Sequence, residues 1–497
     1  MSILQWDKQY EDFLHDESRL IGVADSISFP KTEAEVIEIV RAIFSQKGFI
    51  TIQGARTGIV AGAVPQGGHI LNLSRMNEIG SVKRTKDGGT LTVQPGAILE
   101  EIRKVVEKES LFFPPDPTET TCSIGGMVSC NASGALTFHY GPTRKWVEAI
   151  RVVMSDGDTI WLRRGECKAQ GRLFSLTTES GRVIKGQLPS YSLPNVKSAA
   201  GYYVNDNMDM LDLFIGMEGT LGVITEIELR LIPKPKAING LTIFLPNEES
   251  AIKLVNVLRN SSIRPVAIEF FDANSLNLLR SIKSESSAFE KIPALKPHYH
   301  SAIYLEFHAD NQDIIDEAVM QAMEAIIELG GTDEDTWYAT NERELEHLKA
   351  FRHATPEAVN LLIDKRKKEC PELTKLGTDM SVPDERLEEA IAMYQAGVLE
   401  HELESVMFGH IGNNHIHVNI LPHNKEDYER GKLLYLSWAK QVVKWGGSVS
   451  AEHGIGKLKV PFLELMYGAK GIAEMRSLKA VFDPNCVFNP GNLFKQA

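Results

Sequence analysis

Two short, glycine-broken stretches late in the chain constrain it more than anything else in the sequence. One reads Gly409-His410-Ile411-Gly412-Asn413-Asn414-His415-Ile416-His417-Val418-Asn419, the other Ser450-Ala451-Glu452-His453-Gly454-Ile455-Gly456-Lys457. Together they supply four imidazoles and a carboxylate. From His415 the pattern alternates, so a strand would place His415, His417 and Asn419 on one face. Neutral imidazole nitrogen with carboxylate oxygen is a borderline ligand set that suits Zn²⁺, with Mn, Fe or Co as alternatives. In a catalytic site, three such ligands leave a position open for substrate. The competing reading is polar loop residues, or core histidines satisfied by hydrogen bonds. Glycine-broken loops carrying this many ligand atoms have little use in packing, which favours a site.

A length of 497 residues implies two or three domains, and 43% hydrophobic with 24% charged residues allows a large core without staples. The net charge of -13 argues against a nucleic-acid partner, which needs basic patches. No apolar run reaches the roughly 18 residues of a membrane span. Asp7, Lys8, Glu11 and Asp12 stand where a signal peptide needs an apolar stretch. The expected compartment is the cytoplasm, with a peripheral membrane contact and a homodimer left open. The five cysteines are scattered, without Cys-x-x-Cys, which excludes a disulfide framework and argues against an internal iron–sulfur cluster. Redox chemistry in such a chain must use a bound organic cofactor.

Along the chain, Val36, Ile39, Val40 and Ile43 predict an amphipathic helix over 32–46, opened by a Thr32/Glu35 capping box. A strand over 49–52 runs into the loop Gln53-Gly54-Ala55-Arg56-Thr57-Gly58-Ile59-Val60-Ala61-Gly62. Its glycines miss the Gly-x-Gly-x-x-Gly spacing, and no P-loop occurs anywhere. The backbone N–H groups of such a loop can still cradle a diphosphate; the alternative is a plain turn. Strands over 70–73 and 90–93 and a helix over 99–108 follow. Residues 114–134 then read as a long, small-residue segment without regular periodicity, suited to close approach of a flat ligand. Glu218-Gly219-Thr220-Leu221-Gly222-Val223-Ile224-Thr225 has the same character and leads into a strand over 226–232. Beyond the linker Pro233-Lys234-Pro235-Lys236, strands such as 302–307 alternate with helices such as 312–329. A helix over 341–353 is expected to end near Pro356.

This order of motifs resembles the vanillyl-alcohol-oxidase-type (PCMH-type) flavoproteins, in particular the FAD-dependent D-2-hydroxyacid dehydrogenases. That group includes D-lactate and D-2-hydroxyglutarate dehydrogenases and glycolate oxidase catalytic subunits. The resemblance runs from about residue 30 to residue 494 and ends on Phe488-Asn489-Pro490-Gly491. It implies an α+β fold: a PCMH-type FAD-binding domain of two α/β subdomains (1–235), a substrate-binding cap with an antiparallel sheet and helices on one side (236–425), and a C-terminal segment returning to the FAD domain (426–497). It implies that FAD is enclosed by Gly54, Ala55, Arg56, Thr57 and Gly58, by Pro114, Pro115, Asp116, Thr121, Ser123, Gly125, Gly126, Asn131 and Gly134, and by Gly219, Gly222, Val223, Ile224 and Asn489. No histidine in the 54–62 loop can tether the flavin, so it is expected to be non-covalent.

The resemblance also assigns His410, His417 and Glu452 as metal ligands, His453 as the base, Asn419 as a substrate contact and Arg352 as the carboxylate clamp. An arginine fork suits a carboxylate because it binds both oxygens. His415 is left without a role, free to join or replace a ligand. Some relatives carry a lysine two residues before Asp379; here Gly377 stands there, with Lys375 two further back. The implied activity is metal-assisted, FAD-dependent oxidation of a small D-2-hydroxy acid, D-lactate or glycolate first, with Zn²⁺ ahead of Mn²⁺ or Fe²⁺. Electrons would pass to an external quinone, cytochrome or electron-transferring flavoprotein. A flavoprotein transferase of the alkyl-dihydroxyacetone-phosphate synthase type, or a non-catalytic electron-transfer subunit, are the other readings.

Overall fold

Thr32 and Glu35 start the first long helix, Glu33–Ser45, by the reciprocal cap that the sequence predicts: the Thr32 hydroxyl accepts from Glu35 N–H, and the Glu35 carboxylate accepts from Thr32 N–H. The computed structural model describes residues 3–262, 264–283, 289–290 and 292–495, so the outermost residues of the expected domain limits, 1–2 and 496–497, lie outside it. The apolar stripe of the helix, Val36, Ile39, Val40 and Ile43, shares a core with Ile50 and Leu71. Those two residues belong to a four-stranded sheet. In it Ser26–Ser28 and Ile50–Gln53 run parallel to His69–Asn72, and Leu4–Gln5 pairs antiparallel with Ser26–Ser28. A second, antiparallel sheet is ordered Lys83–Thr85, Gly88–Val93, Val223–Pro233, Val147–Val153, Thr159–Arg163, with Leu111–Phe112 on one end of Val223–Pro233.

The third sheet has seven antiparallel strands: Thr336–Ala339, Ala237–Leu245, Ser301–Ala309, Ala267–Phe271, Ser405–Gly409, His417–Ile420 and Leu376–Gly377. Directly opposed residues share a face, and faces alternate along a strand. Glu248–Arg259 and Gln312–Glu328 pack on the two strands Ala237–Leu245 and Ser301–Ala309. The long helix Glu342–Lys367 packs where Gly240 and Phe244 point: a Cβ on Gly240 would lie 2.7 Å from Leu345, and Phe351 meets Phe244. That face is also the one that carries the polar residues Glu306 and Glu269. The mixed helix-and-sheet class is as the sequence implies.

Two local expectations are corrected. The helix bearing Arg352 does not end before Pro356 but runs unbroken from Glu342 to Lys367. Pro356 cannot bond the carbonyl of Arg352 four residues back, at a cost of about 3 kcal/mol. Burial of Leu345, Leu348, Phe351, Ala358, Val359 and Ile363 along the helix outweighs it. The 114–134 segment is also not wholly irregular, since Ile124–Cys130 is a short helix ending on left-handed Asn131.

The C-terminal part reaches back to the first sheet. Ile50 N–H donates to Val487 O at 2.7 Å, and Asn489 N–H donates to Ile50 O at 2.8 Å. The Asn489 side chain accepts from Ile52 N–H and donates to Glu218 O, both at 2.7 Å. Among the described residues no helix is long and apolar enough to cross a membrane.

Asn489 sits at φ 44° with both side-chain bonds buried. Asn489→Ala removes both bonds and places a Cβ-only residue in left-handed backbone. It is expected to lower stability by about 2–4 kcal/mol, read as a lower thermal transition. An unchanged transition would show that the two bonds are replaceable.

Candidate active site

The cap sheet sets the site by register. Glu269 lies opposite Tyr304, Phe408 opposite His417, and Val406 opposite Asn419, whose other neighbour is Gly377. His417 and Asn419, two apart on one strand, therefore share a face. His410 follows Gly409 at the end of Ser405–Gly409. Gly409 has φ 125°, and a Cβ there would lie 2.8 Å from the His417 ring, so only glycine lets the two histidines approach. His415 lies outside the strand, in an isolated bridge with Ser381, but its ring still sits 4.4 Å from that of His417.

The inner nitrogens converge on the Glu452 carboxylate, whose Oε2 also lies 3.2 Å from His410 Nε2. His410 Nε2 is 3.3 Å and His417 Nε2 3.2 Å from Glu452 Oε1. Their outer nitrogens are engaged elsewhere: His410 Nδ1 with Glu269 Oε1 at 2.7 Å, and His417 Nδ1 with Thr378 O at 2.9 Å. A ring whose Nδ1 is held by a carboxylate or carbonyl presents Nε2 as a lone pair, the usual support of a metal-ligating histidine. His410, His417 and Glu452 thus fit a divalent ion, and the ligand-bearing atoms of His410, His415, His417 and Glu452 lie within 4.8 Å of one another.

Asp379, fully buried, holds the second loop in place. Its carboxylate accepts from Ser450 Oγ at 2.6 Å, Glu452 N–H at 3.2 Å, His453 N–H at 3.1 Å and Lys459 Nζ at 2.6 Å. His453 Nδ1 lies 3.4 Å from the same carboxylate. His453 is stacked on His417, and with its side chain 27% exposed it is the most accessible imidazole of the cluster. Burial alone would raise the Asp379 and Glu452 carboxyls. The neighbouring cations and imidazoles outweigh it and hold both well below the usual carboxylate range. Burial opposes charge on His410, yet Glu269 and Glu452 raise it to about 9. Burial pushes His453 down to about 4 despite Asp379.

Arg352, on the long helix, is 7% exposed, lies 3.6 Å from Asp116 and donates to His353 Nε2 at 2.7 Å. Its Nε has no partner, nor does the buried Nδ2 of Asn419. Buried donors of this kind are rare and mark a place for a ligand's oxygens. Asp116 sits between Arg352 and Arg103, the latter at 2.8 Å.

Some of the residues expected to enclose FAD are joined by hydrogen bonds. Ala55 N–H donates to Ser123 Oγ at 3.3 Å, and the Asn489 amide joins the 50–53 strand to Glu218. Lys457 reaches Ala61 O at 3.2 Å and Asn492 at 2.7 Å, while the Glu218 carboxylate accepts from Ile455 and Gly456 N–H at 2.7 and 2.6 Å. A Cβ on Gly58 would meet nothing within 4 Å, so the loop opens onto free space. Beside the loop at Asn131, Arg144, Ser198, Gly201 and Tyr203 line a cavity of about 80 Å³. Three expected residues point elsewhere: Thr121 is exposed and bonded to Glu119, and the Val223 and Ile224 side chains are core.

Sequence reasoning missed Glu269, Asp379 as the anchor, and Lys197, whose Nζ lies 2.6 Å from Glu452 Oε2. Glu269 carried a signal, as one acid inside the apolar run Ala267-Ile268-Glu269-Phe270-Phe271. Lys197 carried none.

Residues 234–493, more than half of the chain, match the family described as FAD linked oxidases, C-terminal domain, and residues 24–163 match an FAD binding domain. The chain belongs to the FAD-linked oxidases. This oxidase is similar to the D-lactate dehydrogenase of Anaerostipes hadrus, at 29% identity over 99% of this chain and 94% of that one. It is similar to glycolate oxidase subunit GlcD of Bacillus subtilis, at 27% over 95% and 89%, and to a D-2-hydroxyglutarate dehydrogenase of Stutzerimonas stutzeri, at 29% over 94% and 90%. Its fold is that of an alkyldihydroxyacetonephosphate synthase structure, with a TM-score of 0.66 at 17% identity over 95% of this chain and 78% of that one. The oxidase is therefore an FAD-dependent oxidoreductase.

The raised His410 has a consequence in the metal-free protein. A group whose folded value, about 9, exceeds its unfolded value of about 6.5 stabilises fully below the latter. That stabilisation is lost as pH rises through the former. The thermal transition of chelated oxidase should fall between about pH 7 and 10, and His410→Gln should flatten this limb. A limb of equal size in the variant would assign it to other groups.

Proposed function

We propose that this oxidase converts a small D-2-hydroxy acid, D-lactate or glycolate first, to the 2-oxo acid. FAD would be held non-covalently by the 54–62, 114–134 and 219–225 loops, and a divalent ion, Zn²⁺ ahead of Mn²⁺ or Fe²⁺, by His410, His417 and Glu452. The observation that carries this reading is the convergence of two backed imidazoles on the Glu452 carboxylate, on the sheet face that also bears Asn419 with its free donor. The names of the three curated relatives support the substrate class. In the domain division that follows, 1–235 binds FAD, 236–425 forms the cap and 426–497 returns to the flavin side.

The residues divide the work. Arg352 holds the carboxylate with its planar fork, and Asn419 donates to a second substrate oxygen. A bound divalent ion lowers the pKa of the substrate hydroxyl. His453 takes the hydroxyl proton at Nε2, with Asp379 beside Nδ1 to orient the ring. FAD supplies the hydride acceptor for the C–H bond that Arg352 and Asn419 align. Gly377 and Lys375 favour a short substrate. A Cβ at 377 would lie 2.9 Å from Asn419 Oδ1, so no cation stands there for a distal carboxylate, and the nearest lysine, Lys375, is bonded to Asn360 at 2.8 Å.

The transferase reading rests on fold likeness alone. A non-catalytic electron carrier has no use for an acid clamp or a base. In the proposed reaction electrons leave to an external acceptor, a quinone, cytochrome or electron-transferring flavoprotein.

Anaerobic mixing with a panel of hydroxy acids tests the proposal. D-lactate or glycolate should bleach the flavin faster than D-2-hydroxyglutarate, L-lactate should not, and prolonged chelation should abolish bleaching while the flavin spectrum persists. Flavin that no hydroxy acid reduces would sink the reading.

His453→Gln should slow flavin reduction by roughly 10²–10⁴-fold with metal content unchanged. Because burial places His453 near 4, the ring is neutral and able to accept a proton through the neutral range. The wild-type rate should stay flat in that range and fall only toward pH 4, a step displaced below the ordinary histidine range that the sequence alone leads one to expect. A variant that keeps the wild-type rate would remove His453 from the mechanism.

A further inference from the structure

Lys197 enters the site from outside both matched family segments, in a stretch without regular structure between residues 188 and 204. Its side chain is 5% exposed. The stretch is laced to the ligand loop on three sides. Lys197 O accepts from Ser381 Oγ at 2.6 Å, Ala199 N–H donates to Ser450 O at 2.9 Å, and the Ser198 and Ser448 hydroxyls meet at 2.9 Å. These anchors fix where the ammonium can go. It lies 2.6 Å from Glu452 Oε2 and 3.3 Å from His415 Nδ1.

An ammonium has three donors and no lone pair, and a neutral imidazole has one acceptor nitrogen. Lys197 therefore occupies Glu452 Oε2, which also lies 3.2 Å from His410 Nε2, while Oε1 faces both His410 and His417. It also occupies His415 Nδ1, so the ring proton sits on Nε2, which lies 3.1 Å from Asp379 Oδ1 but makes no hydrogen bond. His415 is left with no lone pair to offer.

We infer that Lys197 is a positioning residue that limits the metal to three protein ligands, His410 Nε2, His417 Nε2 and one oxygen of Glu452, by taking the second Glu452 oxygen and the acceptor nitrogen of His415. This rests on the metal reading above. Four imidazole and carboxylate donors lie close enough to crowd a small ion, and a fourth or fifth protein ligand would fill the place a substrate hydroxyl needs. The lysine keeps that place open without touching the substrate.

X-ray absorption on zinc-loaded oxidase reads the ligand count directly. Wild-type protein should show two imidazoles per zinc. Lys197→Met should show three, or a two-oxygen carboxylate, together with loss of zinc to a competing chelator slowed at least several-fold. Lys197→Arg should keep the wild-type count. FAD absorbance and the thermal transition establish that each variant is folded, and the wild-type count stands as a test if Lys197→Met does not fold. Three imidazoles in wild-type protein, or an unchanged ligand shell in folded Lys197→Met, would overturn the inference while leaving the metal in place. Wild-type protein that takes up no zinc at this cluster would overturn the metal reading and this inference with it.

Discussion

The Asp379 carboxylate is the interaction on which the site depends. It is fully buried, and such a charge persists only where donors surround it. Here they come from Ser450, the Glu452 and His453 backbone and Lys459, so a loop without regular structure is pinned to the edge of the cap sheet. Glu452 and His453, the proposed metal ligand and base, are the two residues whose N–H groups it holds. Rigidity is thereby supplied to a carboxylate and an imidazole that no helix or strand supports.

Around that carboxylate the charges are nearly matched rather than absent. Glu269, Asp379 and Glu452 face Lys197, Lys459 and the four imidazoles in a volume closed to most solvent. In such surroundings every charge acts over short range with little screening. Glu218 extends the arrangement toward the flavin loops by accepting from Ile455 and Gly456, two and three residues beyond His453. One loop thus takes its position from both Asp379 beside the third sheet and Glu218 in the N-terminal part.

What the sequence made legible was what is local. Thr32 and Glu35 announced their helix because a capping box needs only four consecutive residues. His410, His417 and Glu452 were legible as ligand types in glycine-broken loops, and the order of motifs carried the family. Lys197 and Asp379 were not, because their roles exist only through partners more than 70 residues away. The helix through Pro356 failed for the same reason: a local rule met a buried face contributed by distant strands. His415 shows the limit within a motif. Alternation placed it with His417 and Asn419, but its backbone lies outside the strand and its ring is spoken for by Lys197.

The bond between Ile52 and Asn489 spans 437 residues, and that distance has a meaning in time. During synthesis the glycine loop and the first sheet emerge early, with one edge of Ile50–Gln53 lacking its neighbour. The strand-like segment at 487–489 arrives only after the entire cap has been made. The cap can condense on its own antiparallel sheet meanwhile, whereas the rim of the flavin site must wait. A nascent chain would therefore meet its cofactor late, and until then its unfinished sheet edge is the part most in need of shielding from other chains.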